Sequence, residues 1–369
     1  MDKRSILKNI LLISLPTLLI LFLLTEIIFR FVIPACELPP YCFDAEHRIL
    51  HLRPNKTGIF TVGITAKLPK RWRTNNYGWN SEIDYTETAG RPQKLIAIIG
   101  DSYVEAFSVN VNEALPALIR RWAGDQAAVY SFGISGAPLS HYLHLARYVN
   151  QVFKPDVLVI TVVHNDFDES LASVRRKPAF LQIAQENNGF KEIQPKPFAN
   201  SSLLRFCRTS ATFRYLEVNC RAARLFRKDF WTRTNFWTRK SMQFNANIDP
   251  QAVREQQRPV RLATEYLVQA FARENPDKKI IFMIDGPRRN IYRRDLKNSN
   301  VIWLNHLLRD IVQKYHLEFI DLTIPFSNHY NDRQEVLNSR EDWHWNEAAH
   351  KVAARELFQK LRQTGVVSQ

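Results

Sequence analysis

Glycine, cysteine and methionine are scarce in this chain, with 11, 4 and 3 residues among 369. That little glycine excludes collagen-like and other glycine-rich fibrous proteins. No Cys-x-x-Cys pair, His/Cys cluster or nucleotide-binding motif occurs, so we expect neither a structural metal nor a cofactor. Repeats and low-complexity tracts are also lacking. With 45% hydrophobic and 24% charged residues, the composition is that of a globular protein and excludes a disordered chain.

The one long hydrophobic run covers residues 10–33 and is long enough to cross a bilayer. It is preceded by three cationic residues, Lys3, Arg4 and Lys8. Positive flanks predict a cytoplasmic N-terminus. We therefore expect residues 1–34 to form a cytoplasmic tip and a single-pass transmembrane anchor, with the rest of the chain on the extracytoplasmic (periplasmic) side. A cleaved signal peptide, a lipoprotein signal ending at Cys36 and a buried core helix are the other interpretations.

The run contains one pair of opposite charges. Glu26 and Arg30 are four residues apart and share one face of a helix. Because an unpaired charge inside a membrane span is costly, we expect these two side chains to pair near the outer interface.

The four cysteines form two sequence-local pairs, Cys36 with Cys42 and Cys207 with Cys220. In an oxidising compartment such pairs are compatible with two disulfides. Four reduced, buried thiols are the alternative, and spacing alone does not choose between them.

After an irregular N-terminal extension over residues 35–92, apolar runs alternate with helical patterns. This alternation predicts an α/β catalytic domain over residues 93–369 with a parallel sheet covered on both faces. A stretch of about 167–255 is longer than a normal connection and is expected to form an insert or lid. The predicted strands cover residues 94–99, 128–132, 157–163, 279–284 and 317–322, and the predicted helices cover residues 138–153, 260–274, 301–315 and 346–363.

Polar residues follow several of these strands, at the edge where open α/β sheets bind ligands. Ser102 follows the first strand, and His344 with Asp342 stands just before the last helix. A weakly nucleophilic hydroxyl needs a base, and the base needs an acid to orient it. These residues therefore predict a nucleophile, a general base and an orienting acid for acyl transfer. The predicted oxyanion donors are the backbone N–H groups of Ser102 and Gly133 and the side-chain amide of Asn165.

In this order, the motifs resemble the SGNH (GDSL-like) hydrolase and acyltransferase superfamily. The resemblance rests on four short blocks, Gly100-Asp101-Ser102, Gly133 within residues 132–136, Asn165-Asp166, and Asp342 with His344. It covers roughly residues 94–165 and 278–363. It implies a flavodoxin-like three-layer α/β/α sandwich and the hydrolysis or transfer of an ester-linked acyl group.

Two positions depart from the usual pattern. Val163 stands where the family usually has Gly, two residues before Asn165. The acid often precedes the His by three positions, which is Glu341 here, whereas Asp342 precedes it by two. The Asp-x-His-Trp form resembles membrane-associated enzymes that acetylate or deacetylate exopolysaccharides. We therefore predict Asp342 as the acid and keep Glu341 as the alternative.

Four further residues are candidates for substrate binding, namely Asp101, His164 and Arg288 after predicted strands and Trp343 beside His344. Arg288 follows the fourth strand, where a guanidinium could bind an anionic substrate. The competing interpretation is that these residues belong to ordinary turns and helix caps.

Acidic residues are outnumbered by 51 Lys+Arg to 36 Asp+Glu, for a net charge of +15. Residues 205–240 hold ten of the cations and eight aromatic residues. This basic segment could lie on anionic lipid, bind an acidic saccharide or be a solvated face over a local core. The expected topology argues against a nucleic-acid partner.

Two functions follow from these observations. The first is a membrane-anchored serine esterase or O-acyltransferase acting on acyl, chiefly acetyl, esters of an envelope or exported polysaccharide. The second is a catalytically weak or inactive protein that uses the same cleft to bind or assemble a glycan. The partners expected are an acylated glycan or other ester and the membrane, and the oligomeric state is not predicted.

Overall fold

The computed structural model describes residues 10–66, 68–87, 93–186, 189–197, 201–220, 255–339 and 343–368. The chain divides into two compact units. Unit 1 comprises Met1–Leu38, Gly58–Lys70 and Ala199–Thr238, and unit 2 comprises Pro39–Thr57, Arg71–Phe198 and Arg239–Gln369.

Unit 2 is built on a five-stranded parallel sheet. Its strands are β5 (Lys94–Gly100), β6 (Ala127–Gly133), β7 (Val157–Val162), β10 (Lys279–Ile284) and β11 (Glu318–Asp321). They lie in the order β11-β10-β7-β5-β6. Counted along the chain within the sheet, this is the 2-1-3-4-5 order of flavodoxin-like folds, whose switch point lies between the first and third strands. The predicted α/β fold is confirmed.

Four shorter strands precede the sheet and two more form a hairpin after β7. They are β1 (Tyr41–Asp44), β2 (Ile49–Leu52), β3 (Lys56–Phe60), β4 (Lys70–Thr74), β8 (Gln182–Glu186) and β9 (Gly189–Ile193). β1 pairs with β2 and β8 with β9, in both cases antiparallel.

The helices of unit 2 follow the strands in chain order. They are α2 (Ser102–Glu105), α3 (Leu115–Ala123), α4 (Leu139–Val152), α5 (Asp166–Glu169), α8 (Gln257–Glu274), α9 (Arg288–Tyr292), α10 (Ile302–Lys314), α11 (Thr323–Arg333) and α12 (Glu347–Gln363).

The central strands β5 and β7 consist mostly of apolar residues, because both of their faces are covered. Every residue of β7 is buried, as are six of the seven residues of β5. All five strands and all four helices predicted from sequence are present, with ends shifted by at most three residues. Five helices of unit 2 were not predicted, namely the short α2, α5 and α9 and the longer α3 and α11. Leu115, Leu118 and Ile119 of α3 are nevertheless buried in the core.

Unit 1 contains the N-terminal helix α1 (Ile10–Val32), a helix with a mean hydropathy of 2.4 that is long and apolar enough to cross a membrane, as an anchor or a signal sequence would be. Two short helices, α6 (Ser202–Cys207) and α7 (Ala211–Arg214), follow, and α7 continues as a π-helical turn over Tyr215–Asn219. All four cysteines of the chain are free, so neither sequence-local disulfide is formed.

Gly133, at the end of β6, packs so closely on α2 that a side chain does not fit. A Cβ built there lies 2.1 Å from the Glu105 backbone nitrogen and 2.5 Å from the Val104 carbonyl carbon. Because backbone cannot move aside as a side-chain tip can, we expect Gly133→Ala to lower the free energy of unfolding by about 1–3 kcal/mol or more. Thermal unfolding of the full chain in detergent measures this.

Gly189→Ala is the matched control. A Cβ at Gly189 meets nothing within 4 Å, so this variant should unfold at the wild-type temperature. Equal unfolding temperatures for the two alanine variants would contradict the close approach of β6 and α2.

Candidate active site

Ser102 lies at the carboxyl end of β5, as the first residue of α2. The preceding residue, Asp101, caps this helix, and its Oδ1 accepts a hydrogen bond of 2.9 Å from the Tyr103 N–H. Its other oxygen lies 3.3 Å from Ser102 Oγ. Asp101 is buried, and burial raises its pKa to about 6. The short helix therefore presents the Ser102 hydroxyl at the sheet edge, beside the switch point.

The structure brings His344 to this hydroxyl from the other end of the chain. Nε2 of His344 lies 2.8 Å from Ser102 Oγ. When Nδ1 carries the imidazole proton, Nε2 is the acceptor, and the serine donates to it. Both side chains are half-buried and so remain reachable from solvent. This is the geometry that a nucleophile and its general base require.

The loop that carries His344 is held by buried bonds to Arg288. Nη2 of this guanidinium donates to the Trp343 carbonyl at 2.6 Å and to the Tyr103 hydroxyl at 2.7 Å. It also pairs with Asp285 at 3.2 Å. The Tyr103 hydroxyl donates in turn to the Trp343 carbonyl at 2.9 Å. The backbone next to His344 is thereby bound to α2 and to the end of β10.

Arg288 follows β10 as predicted, and its side chain is buried. Its side chain is only 4% exposed, and its donors are directed at Asp285, Tyr103 and Trp343. Desolvating a guanidinium is costly, and the carboxylate of Asp285 offsets that cost. In this structure Arg288 holds the loop and has no free face for an anionic substrate.

His164 follows β7 as predicted, and its side chain is buried as well. It is 1% exposed, and its Nε2 lies 2.8 Å from Asn305 Oδ1. Burial lowers its pKa, which favours the neutral ring. A side chain enclosed in this way has no surface to offer a substrate. Asp101 is likewise occupied as a helix cap, whereas Trp343 is half-exposed beside His344 and remains a candidate contact.

The candidate oxyanion donors come from three neighbouring strands. Gly133 ends β6, directly paired with Gly100 at the end of β5. Asn165 follows β7, and its Nδ2 donates to Glu169 Oε2 at 3.0 Å. An amide nitrogen carries two protons, so this bond leaves one N–H for another acceptor. Glu169 is itself held by ion pairs to Lys177 and Arg175, which restrain the amide.

The two candidate acids, Asp342 and Glu341, lie outside the described residues. Within the part of the chain that the structure describes, no three His, Cys, Asp or Glu side chains gather as metal ligands would.

Sequence analysis missed Glu105, the last residue of α2. It is fully buried, and its carboxylate accepts a hydrogen bond from the Ser135 hydroxyl in the loop after β6. Its backbone carbonyl accepts a 2.6 Å bond from the Asn80 amide. Burial raises the pKa of Glu105 to about 8. No sequence pattern marks this residue, because its burial depends on how closely Gly133 approaches.

The buried Glu105 predicts a loss of stability with rising pH. Its folded-state pKa of about 8 lies above the ordinary value of 4.5, so between these values the folded chain holds a proton that the unfolded chain has lost. Stability is then fully present below about pH 4.5 and falls as pH rises toward about 8, by an amount on the order of a few kcal/mol. Glu105→Gln, which resembles the neutral acid, should remove this part of the pH dependence.

The measurement is the unfolding temperature at pH 5, 7 and 8.5 for the wild type and Glu105→Gln. Glu186→Gln removes an exposed carboxylate of the β8–β9 hairpin and controls for the change in net charge. If Glu105→Gln and the wild type lose stability in parallel, Glu105 is ionised in the folded protein.

The sequence profile of the GDSL-like lipase/acylhydrolase family matches residues 98–352 of the chain. No curated protein sequence matches the chain. Among solved structures, it is similar to LAE5, an α/β hydrolase from the metagenome of Lake Arreo in Spain, with 14% identity over 77% of this chain and 99% of that one and a TM-score of 0.40. It is similar to the aryl esterase of M. smegmatis, with 10% identity over 73% and 99% of the two chains and a TM-score of 0.39. A carbohydrate acetylesterase family member from Sinorhizobium meliloti shows 11% identity over 73% and 98%, with a TM-score of 0.35.

The family profile spans well over half of the chain and includes all four blocks on which the resemblance was based. It begins within β5 and ends within α12, so it covers the sheet, Ser102 and His344 together. The chain belongs to the GDSL-like lipase/acylhydrolase family.

Proposed function

We propose that this family member is a serine esterase or O-acyltransferase in which Ser102 is the nucleophile, His344 the general base and Asp342 the acid that orients the base. The observation that carries the proposal is the 2.8 Å contact between Ser102 Oγ and His344 Nε2. Two residues so far apart in the chain meet at the sheet edge where this fold binds ligands. Their exposure allows an ester to reach the hydroxyl.

The chemistry follows from that contact. As Ser102 Oγ attacks the ester carbonyl, its proton passes to His344 Nε2, and the imidazolium that forms is stabilised by the acid. His344 then returns the proton to the departing alkoxide, which leaves an acyl group on Ser102. Water or a sugar hydroxyl, deprotonated by His344, attacks this acyl-enzyme and releases Ser102.

The backbone N–H groups of Ser102 and Gly133 and the Asn165 amide donate hydrogen bonds to the carbonyl oxygen and so stabilise the negative charge that develops on it. The restraint of Asn165 by Glu169 supports this role, because preorganised donors stabilise a developing charge without a cost of reorientation.

For the substrate, we propose acyl groups, chiefly acetyl, on a cell-envelope or exported polysaccharide. The Asp-Trp-His-Trp sequence at 342–345 resembles that of membrane-associated polysaccharide enzymes, and the apolar helix α1 is compatible with such a location. The cationic flank at residues 3–8 supports an extracytoplasmic catalytic unit.

Replacement of either Ser102 or His344 by alanine should abolish ester turnover. We expect kcat/KM on an activated acetyl ester such as p-nitrophenyl acetate to fall by about 10³-fold or more in each variant, because either change removes the activated nucleophile. Steady-state kinetics of the purified full chain in detergent provide the measurement.

Ser327→Ala is the matched control, since that hydroxyl bonds only its own helix at the Thr323 carbonyl among its described contacts. It should retain the wild-type rate. A folded wild type that is no faster than the Ser102 variant would instead favour the glycan-binding role. Added acceptor glycan, with acylated glycan and free acid quantified, separates transfer from hydrolysis.

The choice between the two candidate acids can be tested in the same assay. We expect Asp342→Asn to lower kcat by about 10²-fold or more, because the acid both orients the imidazole and stabilises its charged form. Glu341→Gln should keep most of the activity. The reverse ranking would assign the acid to Glu341.

A further inference from the structure

The C-terminal part of α1 is bonded into the fold of unit 1. Glu26 accepts hydrogen bonds from the Ser210 hydroxyl at 2.8 Å and from the backbone N–H groups of Ala211 and Thr212 at 2.9 and 3.0 Å. It also pairs with Arg30, as the four-residue spacing predicted. The Arg30 guanidinium continues to the Thr209 carbonyl at 3.2 Å.

Aromatic and backbone contacts also join α1 and the residues after it to the segment at 214–219. Phe29 stacks on Tyr215 with ring centroids 3.8 Å apart. Just after the helix, the Cys36 N–H donates to Asn219 Oδ1 at 3.0 Å, and the Cys36 carbonyl accepts from Arg214 at 3.1 Å. Removal of α1 as a cleaved signal would leave Tyr215 and the N–H groups at 211–212 without these partners.

Unit 1 also carries most of the exposed large apolar side chains that lie outside α1. Among the described residues it has seven such side chains and the much longer unit 2 has three. Leu203 and Phe206 of α6 are 71% and 74% exposed. The others in unit 1 are Leu38, Ile64, Leu68, Leu204 and Leu216.

α6 lies close to α1 in space, because the segment that directly follows α6 is bonded to Glu26 of α1. From Cys207, the last residue of α6, to Ser210 is a span of at most about 11 Å, and the Ser210 hydroxyl bonds Glu26. Glu26 is in turn about 9 Å along the helix axis from the end of α1. If α1 crosses a bilayer, α6 therefore lies at the height of the boundary between acyl chains and head groups.

We propose that α1 is retained in the mature protein and that α6, with Leu203, Leu204 and Phe206, inserts into the lipid interface of the bilayer that α1 crosses. Glu26 binds the segment to the anchor, and the lipid covers apolar surface that would otherwise face water. Unit 1 is then bound to the membrane both by α1 and by α6, and its partner is phospholipid.

Depth-dependent quenching tests the insertion. A fluorescent amino acid replaces Phe206 in the full chain, reconstituted in vesicles of phosphatidylcholine and phosphatidylglycerol, with or without acyl-brominated lipid. We expect the brominated lipid to lower the emission by about twofold, as for a side chain buried several ångströms into the interface. The control replaces Ile324 of unit 2, which is 70% exposed, and its emission should not change.

Three results would overturn the proposal. One is quenching of position 206 by aqueous iodide but not by brominated lipid, which would mean that α6 faces water. Another is protection from both quenchers, which would mean that protein covers it. The third is an intact mass of the membrane-extracted chain that lacks Glu26, which would show that α1 is cleaved. The proposal is supported by an intact mass that includes α1, together with quenching by brominated lipid at position 206 but not at position 324.

Discussion

One buried guanidinium, that of Arg288, joins the parts of the chain on which the site depends. It contacts Asp285 at the end of β10, Tyr103 beside the nucleophile and the carbonyl of Trp343 beside the base. Breaking one partner of a buried ion pair costs about 3–5 kcal/mol, because the other charge is left uncompensated. The bonds of Arg288 therefore hold the backbone beside Ser102 and beside His344 in place, and distorting them costs free energy.

A second constraint acts on the other side of Ser102. Gly133 lets β6 approach the backbone of α2, and the same approach encloses Glu105 and orders the loop that carries Ser135. Asn165 is restrained separately, through Glu169 and its cations. Each proposed oxyanion donor thus lies on an element that is fixed by buried contacts, which is what preorganised charge stabilisation requires.

In unit 1, the carboxylate of Glu26 likewise joins parts of the chain that are far apart in sequence. A carboxylate within an apolar helix is costly on its own, but here it satisfies three donors of the segment at 210–212 and pairs with Arg30. Sequence spacing predicted the pairing with Arg30, because both residues share a helical face. The contacts with the segment some 180 residues later were beyond any local pattern.

The sequence by itself determined the parallel sheet, its long helices and the positions of Ser102, Gly133, Asn165 and His344 at strand ends and before a helix. It could do so because buried strands and amphipathic helices have periods that depend only on neighbouring residues. Tertiary structure alone decided that His164 and Arg288 are enclosed, that Glu105 is buried and that the four cysteines stay free. Burial and pairing of these side chains depend on groups distant in the chain, and no local period records them.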